Sequence, residues 1–435
     1  MSSAKKTKIH VLIFPAGENN SIGLHHALSH NVNIEIFGAS SIGRERHGSY
    51  IFKNYTSNLP LISADVFIEK FNTFIKENQI DYIFPTHDDV SLYLAENQEK
   101  ISCKIITADA RSNKICRDKK LTYELFADCA FCPKVYEDIV EYPCFIKPRK
   151  EQGARGTLLI ENVTEVPKNF DKENYCITEY MPGEELTVDC LTDSKGKLKA
   201  ALPRVRWRKF GGVAVAGKTL STTPEILKIA ETLNSRLNFL GLWYFQIKKS
   251  ADGKYKLMEI SARCPGTICH SCARGVNLPL LSVYCAEGKE VTIFENPFEV
   301  TVDRVLIQRY KINYEYDTVY IDYDDTIIES ELVCLPVIKF LYQCKNLGKK
   351  IIMLTRHENY FEDSILESLE NHCISYKIFS EIISVPNDKE KSDYINPARA
   401  IFIDNSYAER KKVHDAFNIP VFDIEGMEVL EDWRC

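Results

Sequence analysis

Apolar and polar residues alternate along the first part of the chain as they do where strands and helices follow one another. Short apolar runs that fit buried strands lie within residues 10–17, 33–40, 81–89 and 104–109. Residues 66–79 repeat their apolar positions every three or four residues, which predicts a helix. Strands that alternate with helices predict a doubly wound α/β domain over residues 1–110.

The pattern changes in the next two hundred or so residues. Residues 143–162, 176–193 and 242–263 each read as two strands joined by a turn, and Asp252-Gly253 marks the last of these turns. An amphipathic helix is predicted over residues 225–240. Together these elements predict an α+β domain rich in antiparallel strands over residues 111–310.

Alternating strands and helices return from Thr318 onward. Apolar runs that fit strands lie within residues 318–326, 349–356, 375–383 and 398–406. They predict a third, Rossmann-like α/β domain over residues 311–435, with the boundary between Tyr310 and Tyr316.

Composition and charge narrow the class of protein. The chain has 435 residues, of which 45% are hydrophobic and 27% charged, and its net charge is -6. A mildly acidic globular chain is not expected to bind nucleic acid as its main partner. No apolar run is long enough to span a bilayer, and the basic start followed by an apolar run reads as a first buried strand rather than a signal peptide.

The 15 cysteines are scattered, and several lie within strand-like runs, which favours a reducing, cytoplasmic compartment. Two Cys-x-x-Cys pairs occur, Cys129/Cys132 and Cys269/Cys272. A zinc site would require both pairs to meet in space, so buried, unreactive thiols are the favoured interpretation.

The central region contains residues suited to nucleotide phosphates. Lys147 ends an apolar strand and precedes a loop with Gly153 and Gly156. A lysine supplies a point charge for phosphate, and small residues let backbone N–H groups approach it. Taken alone, the same pattern also fits an exposed lysine beside an ordinary hairpin loop.

Further along, Glu179 and Tyr180 lie in an extended segment whose backbone groups can bind an adenine edge, and Glu185 is placed to accept from ribose hydroxyls. Gln246 and Glu259 lie on the two strands of the last hairpin, where facing oxygens can hold Mg²⁺. A solvated polar pair is the alternative, although an ionised Glu259 within an apolar run would be costly without a cation nearby.

Three arginines of the central region are candidates for binding anions. Arg204, Arg206 and Arg263 carry guanidinium groups, which bind carboxylates and phosphates with two parallel hydrogen bonds. They are the candidate substrate-binding residues of this region.

The order of these pieces resembles the ATP-grasp superfamily over about 300 residues, and its carbamoyl-phosphate-synthetase-like branch in particular. The resemblance rests on Arg117-Asp118-Lys119, FIKP, the glycine loop, EYMPGEE and Gln246 to Arg263. It implies that Lys119 and Lys147 contact ATP phosphates, that Gln246 and Glu259 bind Mg²⁺, and that Arg263 binds the acceptor or the transferred phosphoryl group. Ser261 stands where many members carry Asn, which implies a weaker second metal site.

A cluster of carboxylates characterises the last domain. Asp322, Asp324 and Asp325 directly follow an apolar strand, where a divalent cation would offset their repulsion. Thr355, Lys391 (or Lys389) and Asp404 also lie at or just beyond strand ends, the edge where open α/β sheets bind ligands.

This set resembles the haloacid-dehalogenase superfamily over about 120 residues. The resemblance implies that Asp322 is the nucleophile and a metal ligand, that Asp324 is the acid/base, and that Asp404 completes the metal site. Thr355 and Lys391 would then hold phosphate. Asn405 replaces a frequent second acid, a role that Glu409 could take through water. The spacing leaves no room for a large cap, so another part of the protein or another subunit is expected to cover the site.

The two resemblances together imply a bifunctional enzyme that uses ATP and Mg²⁺. One module would join a small carboxylate, such as an amino acid, to an amine through an acyl phosphate. The other would hydrolyse a phosphorylated small molecule. An ATP-grasp kinase and a non-catalytic docking or regulatory last domain are the alternatives, and a homo-oligomer is compatible with either.

Overall fold

The computed structural model describes residues 8–41, 47–167, 170–356 and 362–434. Of the basic residues at the start of the chain, Lys5 and Lys6 lie outside this part. Contacts within the chain divide it into two compact units, Met1–Leu306 and Ile307–Cys435. In the described part, no helix combines the length and apolar character that crossing a bilayer requires.

The first unit begins with a five-stranded parallel sheet. Its strands are β1 (Ile9–Phe14), β2 (Ile34–Ala39), β3 (Asn54–Thr56), β4 (Tyr82–Pro85) and β5 (Lys104–Ile105), in the order β3-β2-β1-β4-β5. Its helices are α1 (Asn19–Leu28), α2 (Phe67–Glu77), α3 (Asp88–Glu96), α4 (Ala110–Arg117) and α5 (Lys119–Leu125). The edge strand β3 was not predicted, because its three half-buried residues form no apolar run.

Amphipathic helices cover this sheet as the sequence pattern indicates. Along α2, Phe67, Phe71 and Ile75 lie four residues apart and are buried, so they form one stripe against the sheet. The central strand β1 is buried along its last four residues, as expected where helices cover both faces of a parallel sheet.

Two antiparallel sheets follow. A four-stranded sheet contains β6 (Val135–Tyr136), β7 (Cys144–Pro148), β8 (Leu158–Ile160) and β9 (Tyr175–Glu179), in the order β6-β9-β7-β8. A six-stranded sheet contains β10 (Glu185–Thr192), β11 (Leu198–Phe210), β12 (Val213–Thr219), β13 (Gly241–Lys249), β14 (Tyr255–Ser261) and β15 (Thr301–Asp303), in the order β14-β13-β10-β11-β12-β15. The helices here are α6 (Pro224–Arg236), α7 (Cys269–Ala273) and α8 (Leu278–Ala286).

The six-stranded sheet has one apolar and one polar face. Trp243, Phe245 and Ile247 of β13 are fully buried and share a core with the apolar side of α6. Because side chains alternate along a strand, Tyr244 and Gln246 point to the opposite face. That face carries the candidate site of the first unit.

The second unit is built on a five-stranded parallel sheet. Its strands are β16 (Thr318–Ile321), β19 (Lys350–Thr355), β20 (Glu381–Ser384), β21 (Ala400–Ile403) and β22 (Val421–Phe422), in the order β20-β19-β16-β21-β22. A small hairpin, β17 (Ile328–Glu329) with β18 (Leu332–Val333), precedes α9 (Leu335–Asn346), and α10 (Glu362–Asn371) and α11 (Tyr407–Phe417) complete the unit.

The strand predicted within residues 375–383 begins later than expected. A short 3₁₀ turn occupies Tyr376–Ile378, and β20 starts only at Glu381. Since β16 lies between β19 and β21, the carboxyl ends of these three strands bring Asp322, Thr355 and Asp404 to one edge of the sheet.

Candidate functional site

Two adjoining clefts lie on the polar face of the six-stranded sheet in the first unit. The large cleft has a volume of about 580 Å³ and the small cleft about 180 Å³. Side chains that line both clefts include Lys119, Arg155, Arg206, Gln246 and Glu259. These shared residues form a common wall, at which a group bound in one cleft can meet a group bound in the other.

Lys147 lies in the small cleft at the end of β7. Its side chain is buried, its ammonium nitrogen lies 3.4 Å from the Met258 carbonyl oxygen, and it lies 5.0 Å from the centre of the Tyr123 ring. Burial, with the neighbouring charge of Lys119, lowers the pKa of Lys147 to about 8. An anion in the small cleft would therefore stabilise the charged form of this lysine.

Lys119 begins α5 in the common wall. Asp118 precedes it and holds Arg149 through two hydrogen bonds of 3.0 and 2.5 Å, while the Lys119 backbone N–H donates to the Arg149 carbonyl. The Lys119 ammonium donates to the Glu151 carbonyl at 2.9 Å and lies 3.8 Å from the Glu259 carboxylate. The Arg117-Asp118-Lys119 motif thus fixes a cation between the glycine loop and Glu259.

The glycine loop packs against the turn between β11 and β12. Gly153 and Gly156 have φ values of +66° and +67°, which favour glycine. A Cβ atom on Gly212 would lie 2.2 Å from the Gly153 carbonyl carbon. Only glycine at position 212 therefore allows the two loops to meet at this distance.

Gln246 and Glu259 are direct cross-strand partners in β13 and β14. Nη1 of Arg206 donates to the Gln246 side-chain oxygen at 2.8 Å and to Glu185 at 2.5 Å, and Lys209 also pairs with Glu185. Gln246 and Glu185 are therefore both engaged by protein cations. Arg206 lies in the common wall, so it faces the small cleft as well as the large one.

The structure does not bring all predicted binding residues into the clefts. Glu179 and Tyr180 line neither cleft, and the Glu179 carboxylate accepts from the Lys134 backbone N–H at 2.8 Å. Phe145 and Met258 line the small cleft instead. The adenine-binding role predicted for the backbone of Glu179 and Tyr180 remains a prediction.

Arg204 lines the large cleft, but it is buried and bound to Asp189. The two hydrogen bonds measure 3.0 and 2.9 Å, and Ser271 also donates to Asp189. A guanidinium group held in this way serves mainly to neutralise a buried carboxylate. Its predicted substrate-binding role remains a prediction.

One residue of the large cleft was missed by the sequence analysis. Asp88, the first residue of α3, accepts a hydrogen bond from Ser261 at 2.7 Å and from Arg263 at 3.0 Å. Burial opposes its charge, but the Arg263 guanidinium outweighs burial and lowers the pKa of Asp88. Because Asp88 and Arg263 are 175 residues apart in sequence, no local pattern indicates the contact.

A second site lies in the second unit. Lys391 Nζ lies 2.7 Å from Asp322 Oδ1 and 2.7 Å from Asp404 Oδ2, and all three side chains are buried. Burial raises the pKa of both aspartates, an effect that the charge of Lys391 opposes. Lys389 is exposed, so of the two lysine candidates Lys391 belongs to this cluster.

Thr355, Asp324 and Glu409, three other predicted residues of this unit, make contacts of their own. The Thr355 hydroxyl lies 3.4 Å from Asp324 Oδ2. Glu409 lies 3.5 Å from Arg356 and 3.7 Å from Lys412. Within the described residues, no group of three or more His, Cys, Asp or Glu side chains is arranged to hold a metal ion.

The Cys-x-x-Cys pairs contain free thiols. Burial raises the pKa of Cys132 to about 11 and that of Cys272 to about 12, and it also raises the pKa of Cys129 and Cys269. Thiols with raised pKa values are poor nucleophiles and poor metal ligands.

Comparisons with known proteins find similarity over part of the chain. A family model described as "ATP-grasp in the biosynthetic pathway with Ter operon" matches residues 171–306. Residues 171–306 are thus similar to an ATP-grasp domain. A D-alanine–D-alanine ligase of Thermotoga petrophila is 32% identical over 140 residues, a match that covers 28% of this chain and 46% of that ligase. The chain thus spans less than half the length of that relative.

Solved structures share the fold of about two thirds of the chain. The L-amino acid ligase from Bacillus licheniformis aligns with a TM-score of 0.52 and 13% identity, covering 65% of this chain and 75% of the ligase. The biotin carboxylase domain of the Hydrogenobacter thermophilus 2-oxoglutarate carboxylase, solved with MgADP, ADP and bicarbonate, aligns with a TM-score of 0.53 and 14% identity, covering 66% and 71%. At these identities the likeness concerns the fold alone.

Proposed function

We propose that the first unit is an ATP-dependent ligase that activates a carboxylate as an acyl phosphate and joins it to an amine. The observation that carries this proposal is the common wall of Lys119, Arg206, Gln246 and Glu259 between the two clefts. A γ-phosphate that reaches this wall from the small cleft meets an acid bound in the large cleft. The narrower assignment to the carbamoyl-phosphate-synthetase-like branch rests on the order of the sequence motifs.

The small cleft suits the nucleotide. Lys147 and Lys119 supply positive charge for the phosphates, and the glycine loop exposes its backbone next to them. Of the expected Mg²⁺ ligands, Glu259 fits well, because its carboxylate is part-exposed and lies 3.8 Å from the Lys119 ammonium. Gln246 can bind Mg²⁺ once the hydrogen bond from Arg206 to its side-chain oxygen is broken. A bound Mg²⁺ would neutralise charge on the phosphates during transfer.

The reaction proceeds in two steps. A carboxylate oxygen of the acid attacks the γ-phosphorus, the bond to the β-phosphate oxygen breaks, and ADP leaves. An amine then attacks the acyl carbon, phosphate leaves with the C–O bonding pair, and the amine loses a proton. Lys119, Arg206 and Arg263 stabilise the negative charge on the transferred group. The glycine loop, held by the Gly212 turn, keeps water from the acyl phosphate.

The large cleft favours ligation over simple phosphorylation, since about 580 Å³ accommodates two small substrates. The test is ADP formation from ATP and Mg²⁺ with amino acids and amines, in an Asp322→Asn background that removes phosphatase activity. Ligation requires ADP to form only when both an acid and an amine are present. ADP formation with one substrate, together with a stable phosphorylated product, would identify a kinase and refute the proposal.

We propose further that the second unit is a Mg²⁺-dependent phosphatase of the haloacid-dehalogenase type. Asp322 attacks the phosphorus of a phosphate monoester, the ester P–O bond breaks, and Asp324 donates a proton to the leaving oxygen. Water then hydrolyses the aspartyl phosphate while Asp324 takes the proton back. Asp322 and Asp404 are the carboxylates that would hold a divalent cation, since burial disfavours their charged forms and both now pair with the Lys391 ammonium at 2.7 Å.

A docking or regulatory role for the second unit is the other candidate, since Asn405 stands where an acid is frequent. Hydrolysis of p-nitrophenyl phosphate separates the two. The phosphatase proposal requires Mg²⁺-dependent turnover that Asp322→Asn abolishes. If p-nitrophenyl phosphate turnover were equal in Asp322→Asn and the wild type, Asp322 would not be its nucleophile. The docking or regulatory role would then be the better account of this unit.

A further inference from the structure

Arg263 lies at the end of β14 with its guanidinium in the large cleft. Nη2 donates to Asp88 at 3.0 Å, Nη1 donates to the Cys264 carbonyl at 3.1 Å, and the group lies 5.7 Å from the centre of the Tyr244 ring. The side chain of Arg263 is 13% exposed and that of Asp88 is 15% exposed. This arginine is therefore held in a largely buried orientation by directed contacts.

Asp88 comes from a different layer of the unit. It follows β4 of the parallel sheet and begins α3, whose N-cap residue His87 accepts from the Asp89 backbone N–H. Asp88 is the first residue of this nine-residue helix, so the helix sets the position of its backbone. Asp88 thus ties the arginine of the antiparallel sheet to the rigid parallel sheet.

Ser261 completes this arrangement. Its hydroxyl donates to Asp88 Oδ1 at 2.7 Å, while Arg263 uses Oδ2 of the same carboxylate. Both oxygens of Asp88 are therefore engaged by side chains two residues apart at the end of β14. The hydroxyl of Ser261 points at a carboxylate, so it orients Asp88.

We infer that Asp88 is a positioning residue that orients Arg263 toward the transferred phosphoryl group. In this arrangement Ser261 orients Asp88 and does not bind a metal. The inference rests on the proposed ligase function, in which Arg263 contacts that group. The phosphoryl group in transfer, with five oxygens around phosphorus, is bound best by a guanidinium that is oriented before the reaction. Nucleotide binding in the small cleft does not need the oriented guanidinium. Loss of the Asp88 charge should therefore weaken phosphoryl binding selectively.

The probe is MgADP with and without fluoroaluminate, which mimics the phosphoryl group in transfer. We expect fluoroaluminate to tighten ADP binding to the wild type, and Asp88→Asn to reduce this tightening by between about tenfold and a hundredfold. Binding of MgADP alone should stay within about twofold, and Asp88→Glu should recover part of the loss. Asp128→Asn is the matched control, since it breaks an Asp–Arg pair with Arg236 outside both clefts.

Two further variants separate positioning from general damage. Asp88→Asn and Arg263→Lys should be non-additive, because both remove the same oriented guanidinium. Ser261→Ala should leave the Mg²⁺ dependence of ADP binding unchanged, whereas a tenfold shift would make Ser261 a metal ligand and overturn its assigned role.

Other results of these binding measurements would overturn the role of Asp88, the role of Arg263 or the proposed ligase function. Full tightening by fluoroaluminate in Asp88→Asn, or additive effects in the double variant, would overturn the positioning role of Asp88. MgADP binding without tightening in the wild type would overturn the phosphoryl-binding role of Arg263 and the inference with it. No binding of MgADP to the wild type would instead refute the proposed ligase.

Discussion

The ammonium nitrogen of Lys391 lies 2.7 Å from a carboxylate oxygen of Asp322, and both side chains are buried. Lys391→Met would leave Asp322 and Asp404 without their cation. We expect loss of p-nitrophenyl phosphate hydrolysis and destabilisation of the second unit by about 3–5 kcal/mol, the usual cost of breaking a buried pair. Thermal unfolding and phosphatase assays measure the two effects.

Lys389→Met is the control for this prediction. Lys389 is exposed and lies two residues away in the same loop, so its removal should change neither stability nor turnover. A Lys389 variant that loses activity while the Lys391 variant keeps it would reverse the assignment of the phosphate-binding lysine.

The affinity for MgADP should depend on the charge of Lys147. Burial and the charge of Lys119 lower its pKa to about 8, so the free protein carries a charged Lys147 below about pH 8 and a neutral one above it. Bound phosphate stabilises the charged form and raises this pKa. Affinity should therefore be constant below pH 8 and fall by up to about tenfold per pH unit above it.

Calorimetric titrations with MgADP between pH 6.5 and 9.5 measure this profile. Lys147→Arg keeps its charge throughout the range, so its profile should be flat. A wild-type profile as flat as that of Lys147→Arg would show that this lysine does not contact the phosphates.

The contact between Gly212 and Gly153 should control nucleotide binding. A Cβ atom on Gly212 would overlap the Gly153 backbone, so Gly212→Ala must displace the glycine loop. We expect the Kd for MgADP to rise by about tenfold, equivalent to about 1.4 kcal/mol. Isothermal titration of the variant with MgADP checks this value.

Gly196→Ala is the matched control. Gly196 has nearly the same backbone, with a φ of +77° against +78° for Gly212, but no atom within 4 Å of the position of a Cβ. Its substitution should cost about 1–2 kcal/mol of stability through backbone strain alone and leave Kd unchanged. Equal Kd values for both variants would mean that the loop contact does not matter for binding.

The sequence indicated most elements, because amphipathic helices such as α2 and apolar strands such as β1 carry strong periodic patterns. The cross-strand position of Gln246 and Glu259 also followed from the hairpin. Short elements were harder to predict. The strand β3 was not predicted because its three residues are half-buried, and β20 begins later than predicted because a 3₁₀ turn precedes it.

Contacts between residues far apart in the chain could not be predicted from the sequence. Asp88 meets Arg263 only because two sheets of the first unit come together, and Lys391 is distinguished from Lys389 only by burial. The Glu179 carboxylate accepts from the Lys134 backbone N–H, a contact between residues 45 positions apart that the sequence does not indicate. In each case tertiary packing, which leaves no local pattern, decides where the side chain points.

The central claim is that a carboxylate accepts the γ-phosphoryl group at the common wall of the two clefts. It is tested by supplying Asp322→Asn protein with ATP, Mg²⁺, amines and amino acids whose carboxylates carry ¹⁸O. Ligation through an acyl phosphate predicts inorganic phosphate that contains one ¹⁸O atom per turnover, and Glu259→Gln should abolish its formation. Release of unlabelled phosphate by the Asp322→Asn protein would contradict the account.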